Sequence, residues 1–184
     1  WSTFLHELTH HWCDRHLSKG GGATVTPGYW VVEGIAECMS DHEVDLRGRK
    51  LVPLDAQLPR LDILAGLAPK DALPWDALFD MPQVALGQLT RRKPVQASSW
   101  WKLDQGYQLD GVNLFYLQSG AVCQYLLFAH GDNGAALKSL VRAWYDGSYK
   151  PGMVKEVTGL APDELGKRVL AFCRQCRDGK LPAD

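Results

Sequence analysis

Long apolar runs and a dominant charge of either sign are both absent from this sequence. No stretch approaches the ~18–20 consecutive apolar residues that a membrane-spanning helix requires, so no membrane span is predicted. The formal net charge of the 184 residues is −1, and the longest basic run, Arg91-Arg92-Lys93, ends at Pro94. Such a short run before a proline is typical of a solvated loop, so nucleic acid is not predicted as a partner.

Cysteines are few, and their number is odd. Five cysteines are too few for a scaffold built on disulfide bonds and cannot all pair within one chain. Cys173 and Cys176 form a C-x-x-C pair, but no second pair is present to complete a zinc ribbon. Two interpretations stay open for this pair: ordinary thiols on one helix, or a disulfide or redox pair. For the same reason, the cysteine content does not decide between an oxidising and a reducing compartment.

Strand signals are weak throughout, and the hydrophobic pattern predicts one mainly α domain over residues 1–184. Helices are predicted over residues 2–18, 29–42, 112–130, 135–145 and 162–176. Between the second and third of these, residues 43–111 contain six prolines, which predict short helices and loops.

The segment HELTHHW, at the start of the first predicted helix, has the pattern of a metal site. His6 and His10 are four residues apart, so their imidazoles lie on one face of a helix and can bind one zinc ion. Glu7 is rotated from His6 by about 100° around the helix axis. That rotation puts Glu7 beside the ion, where it can act on water as a general base.

The second predicted helix, WVVEGIAECM, contains two glutamates in an otherwise apolar run. Burying a carboxylate without a partner costs several kcal/mol, so Glu33 and Glu37 need cations or hydrogen-bond donors. A zinc ion bound by the two histidines would satisfy one of the acids, so Glu33 is predicted as the third ligand. The remaining ring N–H of His6 or His10 would satisfy the other, so Glu37 is predicted as its hydrogen-bond acceptor. Gly34 is predicted to let the two helices approach closely. The alternative is that both acids pair with lysine or arginine on a half-exposed helix.

Two neighbours of these residues are weaker candidates. Cys13 lies on the face of His6 and His10, one turn further on, and either packs against the second helix or takes part in metal binding. Asp41 is one turn beyond Glu37 and is predicted to extend its hydrogen-bond network.

HELTHHW followed by YWVVEGIAE resembles the gluzincin metallopeptidases, particularly the peptidase MA-like group. The resemblance implies a zinc peptidase that acts on a peptide or protein substrate, with Glu33 as the third ligand. It also implies a mainly α catalytic half that lacks a preceding β-sheet subdomain, so we expect the chain to be the carboxyl-terminal part of a longer protein. An extracytoplasmic location is slightly favoured by the same likeness.

The spacing of the two segments differs from that of the related aminopeptidases. Residues 11 to 32, 22 in all, separate His10 from Glu33, which is longer than their usual interval. The extra residues fall in the glycine-rich link before the second helix, where insertion is cheap. The likeness to aminopeptidases in particular is therefore weakened.

A later segment, YLQSGAVCQYLL, is similar to the Y-x-x-G-A-x-V helix of these enzymes. By resemblance, Tyr116 would donate its phenol O–H to the oxyanion that forms during hydrolysis. Tyr107 is the alternative donor, and a purely structural role for Tyr116 as a core aromatic is the other interpretation.

The leading hypothesis is thus a zinc-dependent metallopeptidase in which a metal-activated water attacks the peptide bond. The rival is a non-catalytic, zinc-stabilised helical binding module, and a metal-free helical domain is the third. Glu7 favours the peptidase, because a general base serves chemistry whereas a structural zinc site needs only ligands.

Overall fold

The computed structural model describes residues 2–19, 24–45, 50–53, 59–97 and 107–179. Within these ranges the chain is mainly helical, as the hydrophobic pattern predicts. The helices are α1 (Ser2–Leu17), α2 (Trp30–Ser40), α3 (Pro59–Ala65), α4 (Trp75–Asp80), α5 (Leu86–Leu89), α6 (Gly111–Phe128), α7 (Ala135–Asp146), α8 (Met153–Thr158) and α9 (Pro162–Arg177), with 3₁₀ turns at Pro69–Asp71 and Gln83–Ala85. The strands are β1 (His42–Asp45), β2 (Lys50–Pro53), β3 (Val95–Ala97) and β4 (Tyr107–Leu109).

The five helices predicted from the sequence are confirmed as α1, α2, α6, α7 and α9, with ends shifted by at most two residues. Helix α8 was not predicted; left-handed glycines at Gly152 and Gly159 bound it. The strands of the proline-rich segment were also not predicted. β1 pairs antiparallel with β2, and β3 with β4. Strands of three or four residues are too short to show an alternating pattern, so their pairing depends on the surrounding structure.

Helices α2 and α6 form the central pair of the fold. α6 is apolar on nearly every face, and its residues from Gln118 to Leu126 are buried throughout, as expected for a helix inside a core. Its buried amide at Gln118 is satisfied by both backbone groups of Leu73: the Leu73 N–H donates at 2.7 Å, and the Gln118 Nε2 donates to the Leu73 carbonyl at 3.2 Å. This double contact ties the proline-rich segment to the core.

Gly34 permits a close approach, but between α2 and α6 and not between α2 and α1 as predicted. A Cβ added to Gly34 would lie 2.6 Å from the Ser119 carbonyl oxygen and 2.7 Å from the Cys123 sulfur. The prediction named the wrong neighbour because helical spacing shows that a small residue is present, but not which element packs against it. The contact fixes α2 against the most buried part of α6.

Helix α1 packs on α2 through one face only. Leu5 and Cys13 are buried, whereas Leu8 and Trp12 are 44% and 54% exposed. Helix α7 packs against α1, α2 and α6 and so covers the side of the core on which α1 lies. Because α1 packs with one side only, the face that carries His6 and His10 is directed towards α2.

Cys173 and Cys176 are free thiols on the buried face of α9, which agrees with their interpretation as ordinary thiols on one helix.

In the ranges that the structure describes, none of the helices combines the length and apolar content needed to cross a bilayer.

Candidate metal centre

The two histidines of α1 face one another across a single helical turn. Nε2 of His10 lies 3.1 Å from Nε2 of His6, and the two rings meet edge to face with centroids 4.7 Å apart. The i, i+4 spacing that the sequence shows is the cause, since it stacks both side chains on one face. Without a metal ion, the same spacing lets the ring N–H of one histidine donate a hydrogen bond to the unprotonated ring nitrogen of the other.

Glu33 completes a triangle of donor atoms from α2. Its Oε2 lies 3.4 Å from Nε2 of His6 and 3.5 Å from Nε2 of His10. The residue is only 5% exposed, so its carboxylate is directed at the histidines and not at solvent. The three side chains that the sequence selects as zinc ligands are therefore brought together.

The separations fit a tetrahedral zinc site. With zinc–ligand bonds of ~2.0–2.1 Å, the donor atoms of a tetrahedron stand about 3.3–3.4 Å apart. The observed separations of 3.1, 3.4 and 3.5 Å bracket this value. Among the residues that the structure describes, His6, His10 and Glu33 form a group whose candidate ligand atoms all lie within 4.8 Å of one another.

The electrostatics of the pair support an ionised Glu33. Burial raises the pKa of Glu33, but hydrogen bonds from His10 and from Tyr29 outweigh it, and the pKa is lowered overall. In turn, the hydrogen bond to Glu33 raises the pKa of His10 above its ordinary value, against the opposing effect of burial. A charged carboxylate beside two imidazoles is a suitable donor set for a divalent cation.

Glu37 lies against the other nitrogen of His6. Its Oε1 is 3.2 Å from His6 Nδ1, and its Oε2 accepts a short contact from the Arg60 guanidinium. With Nδ1 held by a carboxylate, the free nitrogen of His6 is Nε2, which faces His10 and Glu33. Glu37 therefore has the contact expected of a residue that orients a metal-binding histidine, and the histidine is His6.

Arg60 links Glu37 to Asp41. Its Nε lies 3.4 Å from Asp41 Oδ2, and that oxygen also accepts a 2.7 Å hydrogen bond from Gln124 Nε2. Burial raises the pKa of Asp41, although the charge of Arg60 lowers it. Asp41 thus extends the network of Glu37 through Arg60, and it has no contact with either histidine of the triangle.

Glycine makes room for this ion pair on α6. A Cβ at Gly120 would lie 2.6 Å from Nη1 of Arg60 and 3.1 Å from Cβ of Glu37. A side chain at this position would therefore require the Arg60 side chain to shift.

An open cleft borders the centre on the side of His6 and Glu7. Its volume is ≈ 560 Å³. It is lined by Thr3, His6, Glu7, Glu37, Ser40, Asp41, Arg60, Ile63 and Leu117. Glu7 is exposed on α1 and lines the cleft together with His6.

Tyr116 lies on the α6 side of the same centre. Its side chain is half-buried, and burial followed by the charges of Glu33, Glu37 and Glu7 raises its pKa. The phenol is therefore a neutral donor near the three acids. The side chain of Tyr107, the alternative donor, lies outside the described part of the chain.

Cys13 is buried in the core and forms a hydrogen bond with Tyr145 of α7. It is not a member of the His6, His10 and Glu33 group. Its packing role is therefore the one that its contacts favour, although the partner is α7.

Sequence reasoning missed Tyr29 and Arg60. The Tyr29 hydroxyl donates a short hydrogen bond to Oε1 of Glu33. Its position four residues before Glu33 is a local signal that could have been used. No such signal marks Arg60, because α3 reaches the centre only through tertiary packing.

Comparison of the chain with protein-family models, with curated proteins and with solved structures found no match.

Proposed function

We propose that the protein is a zinc-dependent metallopeptidase of the gluzincin type, which hydrolyses peptide bonds with a metal-activated water. The observation that carries this proposal is the triangle of His6 Nε2, His10 Nε2 and Glu33 Oε2, with sides of 3.1, 3.4 and 3.5 Å. Three protein ligands leave one position of a tetrahedral zinc open, as in catalytic sites and unlike closed structural ones. The resemblance of HELTHHW and YWVVEGIAE to the peptidase MA-like group supports the same conclusion.

His6, His10 and Glu33 would hold the ion. Bound zinc supplies Lewis acidity, which lowers the pKa of a coordinated water towards ~7 and polarises a carbonyl group. The chain itself contributes the orientation of its ligands, since Glu37 holds Nδ1 of His6 at 3.2 Å and leaves Nε2 for the ion.

Glu7 and Tyr116 are proposed as the catalytic side chains. The Glu7 carboxylate accepts the proton of the attacking water and returns it to the leaving amine nitrogen. The Tyr116 phenol O–H donates a hydrogen bond to the oxyanion that develops on the peptide carbonyl. The cleft is lined by His6 and Glu7 and would give a peptide substrate access to the Glu7 carboxylate.

The second candidate function is a non-catalytic, zinc-stabilised helical binding module. Exposure of Leu8 and Trp12, one turn apart on α1, favours it, because such a face suits contact with another protein. The position of Glu7 at the cleft favours the peptidase instead.

Metal analysis of the purified 184-residue chain tests the zinc site first. We expect about one zinc ion per chain, lost on chelation and regained on reloading. Glu33→Ala should weaken zinc binding far more than Asp41→Ala, which removes a carboxylate of α2's carboxyl end that touches neither histidine. Equal effects of the two substitutions would mean that Glu33 is not a ligand.

Glu7→Gln then separates the peptidase from the binding module. The variant should keep its zinc and its fold, and its rate on a mixed peptide library should fall by about 10²–10⁴-fold, the usual contribution of a general base. Asp14→Asn, which changes another exposed acid of the same helix, is the control and should leave the rate unchanged. A zinc-loaded Glu7→Gln variant as active as the parent would overturn the proposed mechanism.

A further inference from the structure

Tyr29 holds one oxygen of Glu33 by a hydrogen bond from a fixed position. The residue immediately precedes α2, is 8% exposed, and directs its hydroxyl at Glu33 Oε1. Its ring stacks on Phe115 with centroids 6.2 Å apart and planes inclined by 13°, and Trp144 lies 6.3 Å away on another side. Two large aromatic neighbours restrict the ring, so the position of its hydroxyl is set by packing.

Gln83 sets the direction of the phenol proton. Its Nε2 lies 3.3 Å from the Tyr29 hydroxyl, and an amide nitrogen can only donate. The phenol oxygen therefore accepts from Gln83 and gives its own proton to Glu33. The Tyr29 backbone N–H also donates to the Met81 carbonyl at 3.0 Å, which fastens the start of α2 to the segment that contains Gln83.

The two carboxylate oxygens of Glu33 therefore have different partners. Oε1 accepts from Tyr29, whereas Oε2 lies 3.4 Å and 3.5 Å from the histidine nitrogens. A carboxylate can bind a metal through one oxygen or through both, and two-oxygen binding would fill the position that a catalytic ion needs for water or substrate.

We propose that Tyr29, supported by Gln83, is a positioning residue that makes Glu33 a one-oxygen ligand and keeps the fourth position of the ion open. The inference deepens the proposed zinc peptidase and rests on its metal site. Residues of this kind, which bind a ligand and not the ion, typically change metal affinity by 10–100-fold when they are replaced.

The test is Tyr29→Phe in the chain reconstituted with Co²⁺ in place of zinc. Cobalt bands in the visible range are intense for four-coordinate ions and weaker for five-coordinate ones, so they report the number of ligands directly. We expect weaker bands for Tyr29→Phe, because both oxygens of Glu33 can then bind, together with a change in Co²⁺ affinity of about 10-fold or more. Gln83→Leu should change the spectrum in the same direction and by less.

Tyr149→Phe is the matched control. This tyrosine is 5% exposed, donates to the Phe79 carbonyl at 3.1 Å and accepts from Trp30 Nε1 at 3.0 Å, so its replacement also removes a buried phenol beside α2. It does not touch Glu33, and its cobalt spectrum should match that of the parent. A merely structural effect would alter both variants alike.

The outcomes separate this inference from the proposed function. If the parent chain binds Co²⁺ and Tyr29→Phe gives the parent spectrum and affinity, the role of Tyr29 is wrong and the metal site stands. If the parent chain binds neither zinc nor Co²⁺, the proposed function fails and the inference fails with it.

Discussion

Glu37 Oε1 lies 3.2 Å from Nδ1 of His6, on the side of the imidazole opposite to Nε2, which faces His10 and Glu33. A carboxylate at Nδ1 fixes the ring orientation and leaves Nε2 as the nitrogen that faces His10 and Glu33. The same glutamate is held by Arg60, so its orientation is determined from two directions.

Replacing Glu37 should therefore weaken the metal site without removing a ligand. We expect Glu37→Ala to raise the dissociation constant for zinc by about 10–100-fold, measured by competition with a chromophoric chelator. Asp41→Ala is the matched control, because it also removes one carboxylate partner of Arg60 but none of His6. Similar weakening by both substitutions would assign the effect to Arg60 and not to the histidine.

Tyr116 should matter for the rate and not for metal binding. Removing a hydrogen-bond donor to an oxyanion costs about 10²-fold or more in kcat, so Tyr116→Phe should lower kcat on a peptide substrate by this factor and keep its zinc content. Tyr125→Phe changes another tyrosine of α6, one that packs against Phe172, and should retain the rate. If Tyr116→Phe kept full activity, Tyr116 would be a structural core aromatic and not the donor to the oxyanion.

Gly34 should be intolerant of any side chain. A Cβ there would meet the Ser119 backbone oxygen at 2.6 Å, and the rigid backbone of α6 cannot move aside without disturbing the core. Gly34→Ala should therefore lower the free energy of unfolding by about 1–3 kcal/mol in denaturant titration. Gly87→Ala, in α5 with no neighbouring atom within 4 Å, should be neutral or slightly stabilising. Tolerance of Gly34→Ala would contradict the close packing of α2 on α6.

The buried carboxyl of Asp41 should make stability depend on pH. Its pKa in the folded protein is raised from the ordinary value of 3.8, chiefly by burial. The folded state therefore holds this proton more tightly than the unfolded state, and the free energy of unfolding falls as pH rises from about 3.8 through the folded pKa. Asp41→Asn removes this dependence, so its stability relative to the parent should increase over that pH range and then level off.

This comparison requires both proteins to be metal-free, with a chelator present, so that loss of zinc in acid does not contribute. The measurement is denaturant unfolding at a series of pH values. If the free energy of unfolding of the variant minus that of the parent falls as pH rises, the direction of the pKa shift is contradicted.

The amino-acid sequence by itself determined the local geometry of the site. Helical spacing placed His6 beside His10, and the two acids within the apolar run of α2 required partners whatever the rest of the fold, because an unpaired carboxylate in apolar surroundings is too costly. Periodicity over ten or more residues likewise determined the amphipathic helices α7 and α9, since such a pattern at that length fits no other element.

Only the tertiary structure decided which elements meet. Gly34 packs against α6 and not α1, and Arg60 reaches Glu37 from a short helix of the proline-rich segment. The pairing of β1 with β2, and of Gln83 with Tyr29, joins residues that carry no local signal of their partner. Spacing along a helix encodes only contacts within that helix, whereas contacts between distant segments follow from the shape complementarity of the whole core.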